Sequence, residues 1–232
     1  MNHRPEASCG APAKTADLSP LFIAQFLSSW AVRSSEGGQA FFLAVPFPGT
    51  LLYISVYSLV KSLAAVLSSS WVGTQADSLD RLKALHLSIV AQRLSVALSC
   101  FLFILLQGWS TSPSTKCVFF VILTVLGCIE KLASVASIVA IERDWVITIA
   151  KTYGLQRQDL NASLRRLDIL SKPISPVIIS SLDTWSPQFA LWVVMAMNTT
   201  SLFVEFLVTR RIYDSVPNLV SRVSTAKLQH QE

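Results

Sequence analysis

The placement of basic residues constrains this chain more than any other feature. Six apolar stretches, about 19–46, 49–71, 84–107, 117–142, 160–182 and 188–210, alternate with short connections. The basic residues gather in every second connection. Arg4 and Lys14 precede the first stretch, and Arg81 and Lys83 follow the second. Arg143, Lys151 and Arg157 follow the fourth, with Arg165 and Arg166 just beyond, and Arg210, Arg211, Arg222 and Lys227 follow the sixth. The connections after the first and fifth stretches carry no basic residue, and the one after the third has only Lys116. Lys and Arg are retained on the cytoplasmic side of a bilayer. The alternation therefore describes an all-α membrane protein with six transmembrane helices and both ends in the cytoplasm.

Composition points the same way. Of 232 residues, 52% are hydrophobic and 14% are charged, against roughly 25% charge in a soluble domain. Mean hydropathy is +0.51. So few charged groups cannot cover a water-facing surface, and the expected partner is the lipid bilayer. The net charge of +5 sits beside apolar spans, where anionic lipid and insertion bias account for it, so no nucleic acid is expected. Cys9, Cys100, Cys117 and Cys128 show no CxxC spacing, which argues against a disulfide framework or a structural zinc site. Residues 1–18 read as a disordered cytoplasmic tail rather than a cleaved signal peptide, 19–211 as the six-helix bundle and 212–232 as a cytoplasmic C-terminal tail.

Two of the six spans are polar for membrane helices. The first carries Arg33, Ser34, Ser35, Glu36, Gly37 and Gly38, and the fifth opens with Asn161, Arg165, Arg166 and Asp168. A charge at the centre of an inserted helix costs roughly 2.5–3.5 kcal/mol on insertion scales. These segments are expected to pack inside a bundle or line a water-filled cavity.

Three charged strings fall at the cytoplasmic helix ends. The second connection runs from Gly73 through Asp77 and Asp80 to Arg81 and Lys83, and is similar to the loop between spans two and three of major-facilitator transporters. In that reading Gly73 makes a tight turn and Asp77 pairs with an arginine across the bundle. The other reading is an ordinary amphipathic loop. The fourth span ends in Glu142, Arg143, Asp144 and Trp145, and the fifth begins with Asn161, Arg165, Arg166 and Asp168. With Asp77 and Arg81 these groups make either an ion-pair lattice that opens and closes as a gate or a solvated interfacial cluster. His3, His86 and His230 are not clustered, and no phosphate-binding glycine loop, nucleophile triad or zinc signature is present. Nothing in the sequence argues for an enzyme.

Several strings together carry a family resemblance. They are LSSWAVR at 27–33, GTLLYISVY at 49–57, the glycine–aspartate–arginine pattern of the second connection followed by Val90, Ala91 and Gln92, LASVASIVAIERDW at 132–145, NASLRRLD at 161–168, and Asn198 with Glu205 seven residues on. In this order, over about 25–215, they resemble ferroportin, the iron-exporting solute carrier family 40, a branch of the major-facilitator fold. The resemblance implies the N-terminal six-helix bundle of a twelve-helix transporter. It implies export of Fe²⁺ by alternating access, with the metal as transported substrate and no cofactor. It implies a multi-pass protein of the plasma membrane, with organellar membranes also represented in the family. The family's C-terminal half has no counterpart in the residues present. A half-length chain is then expected, with that missing half or self-association as its completion, and a non-transporting half-length protein is the alternative.

The resemblance also implies residue roles. The family's first-span pattern places an aspartate where this chain has Val32, which cannot bind a metal, and a second ligand where it has Glu36. Glu36 is either a metal ligand or a charge partner of Arg33. Gln92, Asn198 and Glu205 match positions implicated in cation binding, and interhelical hydrogen bonding is the other reading of the two amides. Asp77, Arg81, Asp144, Asn161, Arg165 and Asp168, with Arg143 and Arg166 beside them, carry over as a cytoplasmic gate.

Overall fold

The computed structural model describes residues 19–47, 51–78, 81–108, 112–154 and 156–215, without the side chains of 70–78, 81, 108, 143, 144, 151–153 and 215. Six long helices run through it: α1 (Ser19–Ala44), α2 (Leu52–Ser78), α3 (Arg81–Gly108), α4 (Pro113–Ala140), α6 (Arg157–Trp185) and α7 (Pro187–Ser215). Between α4 and α6 come a π-helical turn, Ile141–Trp145, and the short α5 (Val146–Tyr153). Among the described residues there is no strand. The long helices have 26–29 residues, about 40 Å at 1.5 Å per residue, which exceeds the ~30 Å hydrocarbon core. Four of them hold segments long and apolar enough to cross a membrane: Leu52–Ser69, Leu82–Gln107, Pro113–Ala140 and Pro187–Asp214. The polar α1 and α6 fall short of that composition, as their sequences suggest.

Two connections differ from the sequence reading. Helix α2 continues through Gly73 to Ser78, and α3 begins at Arg81, where a turn at Gly73 was expected. Beyond the apolar part of a span water can satisfy the backbone, so a helix has no need to stop where its hydrophobic pattern stops. The fourth connection is likewise helical. Trp145, Val146, Ile149 and Ala150 are almost fully buried, and all but Ala150 share one apolar cluster with Leu85 and Ile89 of α3 and Leu160 and Leu164 of α6. Gly154 ends α5 at φ 67°, its N–H donating to the Ala150 carbonyl, the left-handed cap that glycine fills without a Cβ penalty.

The core is layered. One apolar cluster gathers Phe42, Leu43, Tyr57, Val96, Cys100, Phe103, Leu123, Ile179, Leu191 and Val194. The other, around Leu85, Trp145, Ile149 and Leu160, takes in Leu21, Phe22 and Ile212. Along α1, α3, α4, α6 and α7 the stretch between the two clusters contributes buried polar side chains, among them Ser35, Gln39, Arg93, Glu130, Ser175, Asn198 and Glu205. The polar layer joins α1 to α6 through the Ser34 and Ser175 hydroxyls, 2.6 Å apart. Outward, α2 shows Leu59, Leu63, Val66 and Leu67, and α4 shows Val118, Val121 and Val125, an apolar exterior suited to lipid.

Candidate functional site

The polar layer holds three networks. The first is a chain of alternating charges across α4, α1 and α6. Lys131 Nζ lies 2.7 Å from Glu36 Oε1, and Arg33 Nη1 lies 2.6 Å from Glu36 Oε2. Arg33 then reaches Asp168 through Nη2 at 2.8 and 3.0 Å and through Nε at 3.1 Å. Lys172 Nζ completes the chain 3.3 Å from Asp168 Oδ2. Arg33 and Glu36 meet because three residues is nearly one helical turn, and the guanidinium fork matches a carboxylate in two places. Both Glu36 oxygens are therefore held by cations.

The second network is fully buried between α1, α2 and α4. Glu130 Oε1 accepts from Ser35 Oγ at 2.9 Å, and its Oε2 accepts from Gln39 Nε2 at 2.7 Å and Lys61 Nζ at 3.2 Å. Gln39 Oε1 in turn accepts from Tyr57 Oη at 2.9 Å and Lys61 Nζ at 2.7 Å. Ser35 and Gln39 are one turn apart on α1, whereas Glu130 and Lys131 are consecutive and so point to different sides of α4. Adjacent residues thus serve separate networks.

The third network centres on Arg93, 2% exposed in the middle of α3. Its guanidinium donates to Asn198 Oδ1 at 3.2 Å, to Ser28 Oγ at 3.0 Å and to Glu205 Oε1, which also accepts from the Ser201 hydroxyl.

A cavity of about 340 Å³ opens beside these networks, at the end of the bundle that carries the basic connections. Gln25, Ser28, Val32 and Arg33 of α1, Gln92 of α3, Ser134 of α4 and Asn161, Arg165, Asp168 and Lys172 of α6 line it, with Glu142 at the π turn. Within that lining, Arg165 Nε is 3.3 Å from Glu142 Oε1. Gln92 is 2% exposed and its Nε2 has no hydrogen-bond partner.

The sequence candidates fall into separate places. Glu36 belongs to the ion chain, Gln92 lines the cavity, and Asn198 and Glu205 face Arg93. Of the gate candidates, Asn161, Arg165 and Asp168 line the cavity and Arg166 is exposed, while the side chains of Asp77, Arg81, Arg143 and Asp144 lie outside the described residues. Among the described residues no three of His, Cys, Asp and Glu converge on a metal-sized space. Cys100, Cys117 and Cys128 are free thiols. Sequence reasoning missed Lys61, Arg93, Glu130, Lys131 and Lys172. The available signal was a charge inside an otherwise apolar span, which is costly and therefore a mark of a partner or a task.

Long apolar helices around a charged middle layer, with a cavity entering from one end, have the construction of a membrane transporter. Comparison with known proteins gives the family. The model of the family described as Ferroportin1 (FPN1) matches residues 15–232. The chain belongs to the ferroportin family. It is 26% identical to ferroportin of Homo sapiens over 94% of this chain and 40% of that protein. It is 30% identical to solute carrier family 40 member 2 of Arabidopsis thaliana over 86% of this chain and 40% of that protein. The fold matches the crystal structure of a bacterial homologue of the iron transporter ferroportin, in an outward-facing state with soaked iron. The TM-score is 0.75 at 19% identity, covering 86% of this chain and 50% of that one. The chain thus spans about 40% of the length of these curated relatives.

Proposed function

We propose that this chain forms the N-terminal six-helix half of an iron(II) exporter working by alternating access in the plasma membrane, with an organellar membrane as the alternative. The observation that carries this reading is the cavity at the basic end between α1, α3, α4 and α6, whose wall includes Arg33, Asp168 and Lys172 of the ion chain, with Glu36 bonded to Arg33 behind that wall. If the basic end is cytoplasmic, as the positive-inside rule requires, the cavity faces the compartment from which iron would be taken.

The geometry supports a specific exchange. Glu36 is a carboxylate suited to a divalent ion, and both its oxygens are held by Arg33 and Lys131. A cation arriving through the cavity meets Arg33 first and must displace it to compete for the Glu36 oxygens. Success frees Arg33, and Arg33 is also the clasp on Asp168 that ties α1 to α6. Cargo binding therefore favours the arrangement in which the clasp is open, which is how a ligand shifts a two-state equilibrium. Gln92 and Asn161 supply further oxygen donors along the route. Asn198 and Glu205, the other ligand candidates of this half, are engaged by Arg93 and take no part in this exchange. Glu142 and Arg165, paired in the cavity lining, belong to the gate, with Asp77, Arg81, Arg143, Asp144 and Arg166 as its other members.

Efflux of radiolabelled iron(II) from preloaded proteoliposomes tests the proposal, with wild type beside Glu36→Ala. Efflux from wild type that falls at least tenfold in the variant is the expected result. No efflux from folded, inserted wild-type chain would contradict it and favour a non-transporting membrane bundle. Val32 favours that second reading, since it lines the cavity and offers no ligand atom.

A further inference from the structure

We propose that Arg93 is a tethered cation seated in an oxygen-lined site between α1, α3 and α7, and that its guanidinium keeps a free divalent cation out of that site. Two helices aim acceptors at one guanidinium: Ser28 Oγ from α1, and Asn198 Oδ1 and Glu205 Oε1 from α7. The aim is built in. Asn198 Nδ2 donates to the Val194 carbonyl one turn back at 2.9 Å, which turns its carbonyl oxygen toward the guanidinium. Ser201, one turn before Glu205, holds the carboxylate from its own helix. Asn198, Ser201 and Glu205 are 1%, 1% and 5% exposed. A carboxylate, an amide carbonyl and a hydroxyl meeting at one buried group are oxygen donors of the kind a hard divalent cation takes.

The group occupying that space is imperfectly matched to it. A guanidinium carries five N–H donors, and Arg93 Nε has no partner. Gln92, next along the helix, also leaves its Nε2 unpaired. An arginine placed for structural pairing is normally fully bonded when buried. Here all three acceptors are engaged by the guanidinium, while Arg93 Nε is left without a partner. Glu205 consequently spends its charge on Arg93 and is withheld from any mobile metal.

Mn²⁺ is the probe, titrated into the purified full-length chain and followed by electron paramagnetic resonance. Because binding rather than efflux is read, failure here is distinguishable from failure of the transport proposal. Wild type is expected to show no Mn²⁺ binding that Glu205→Gln removes. Arg93→Ala is expected to gain a site at least tenfold tighter than any in wild type, lost again in Arg93→Ala/Glu205→Gln. Should Arg93→Ala not fold, the titration is made on Arg93→Gln, which keeps a hydrogen-bonding side chain in the space and carries the same expectation. Wild-type binding that disappears in Glu205→Gln would overturn the proposal whatever the variants do. So would a folded Arg93 variant that binds no more Mn²⁺ than wild type.

Discussion

Lys61 and Glu130 show what single residues contribute to this bundle. Each is almost wholly buried, and each finds the other and Gln39. Removing one member strands a charge in a low-dielectric interior, whereas replacing both by apolar side chains removes the demand. Lys61→Met is therefore expected to cost about 3–5 kcal/mol, and Lys61→Met/Glu130→Leu to recover most of it, as read by thermal unfolding in detergent. Equal destabilisation in the double variant would show that the pair is not the relevant unit. Gly127 makes a steric point in the same network. A Cβ there would collide with the Tyr57 hydroxyl and lie 2.8 Å from Tyr57 Cζ and 3.0 Å from Lys61 Cδ, so one of these two partners of Gln39 must shift. Gly127→Ala is expected to cost about 1–3 kcal/mol by overpacking, checked by the same unfolding assay. These partners were only half legible in the sequence. Arg33 and Glu36 are three apart, so their pairing is local and readable. Lys131 is 95 positions from Glu36, and no local spacing encodes that contact. Arg93 stood beside Gln92 in plain view, yet an isolated charge in a span names no partner until α7 is laid against it.

At the scale of elements, the sequence was readable where hydrophobicity changes and silent where it does not. The six long helices coincide with the six apolar stretches, but their ends do not. Helix α2 ends at Ser78, seven residues past the apolar pattern, and α6 begins at Arg157, ahead of it. The pattern marks the edge of a bilayer, while a helix ends only at a cap or a break. The fourth connection was read as a charged link, and its apolar side, Trp145, Val146 and Ile149, packs across α3 and α6. Gly154 is the cap that ends it. Nothing lies within 4 Å of where its Cβ would be, so only the backbone resists substitution. Gly154→Ala is expected to cost about 1 kcal/mol, seen as faster amide hydrogen exchange confined to α5. Unchanged exchange would mean that packing of Trp145 and Ile149 holds α5 without its cap.

For the whole molecule, the decisive arrangement is a charged layer between two apolar ones. It resolves the puzzle of α1 and α6, whose own composition is too polar for a membrane span and which lie outside the four apolar candidates. The charges midway along them are paired inside the protein: Arg33 with Glu36 and Asp168, and Asp168 also with Lys172. On the proposed six-span reading, ion pairing between helices, rather than the hydropathy of each helix, carries α1 and α6 through the bilayer. Cysteine accessibility in intact cells tests this most directly, using single cysteines at Ser112, Gln156 and Ser186 in a background without Cys9, Cys100, Cys117 and Cys128. The expected result is labelling of Ser112→Cys and Ser186→Cys by an impermeant maleimide added outside, with Gln156→Cys labelled only after permeabilisation. If Gln156→Cys and Ser186→Cys label from the same side, α6 does not cross, and the internal ion pairs do not carry the polar helices through the membrane.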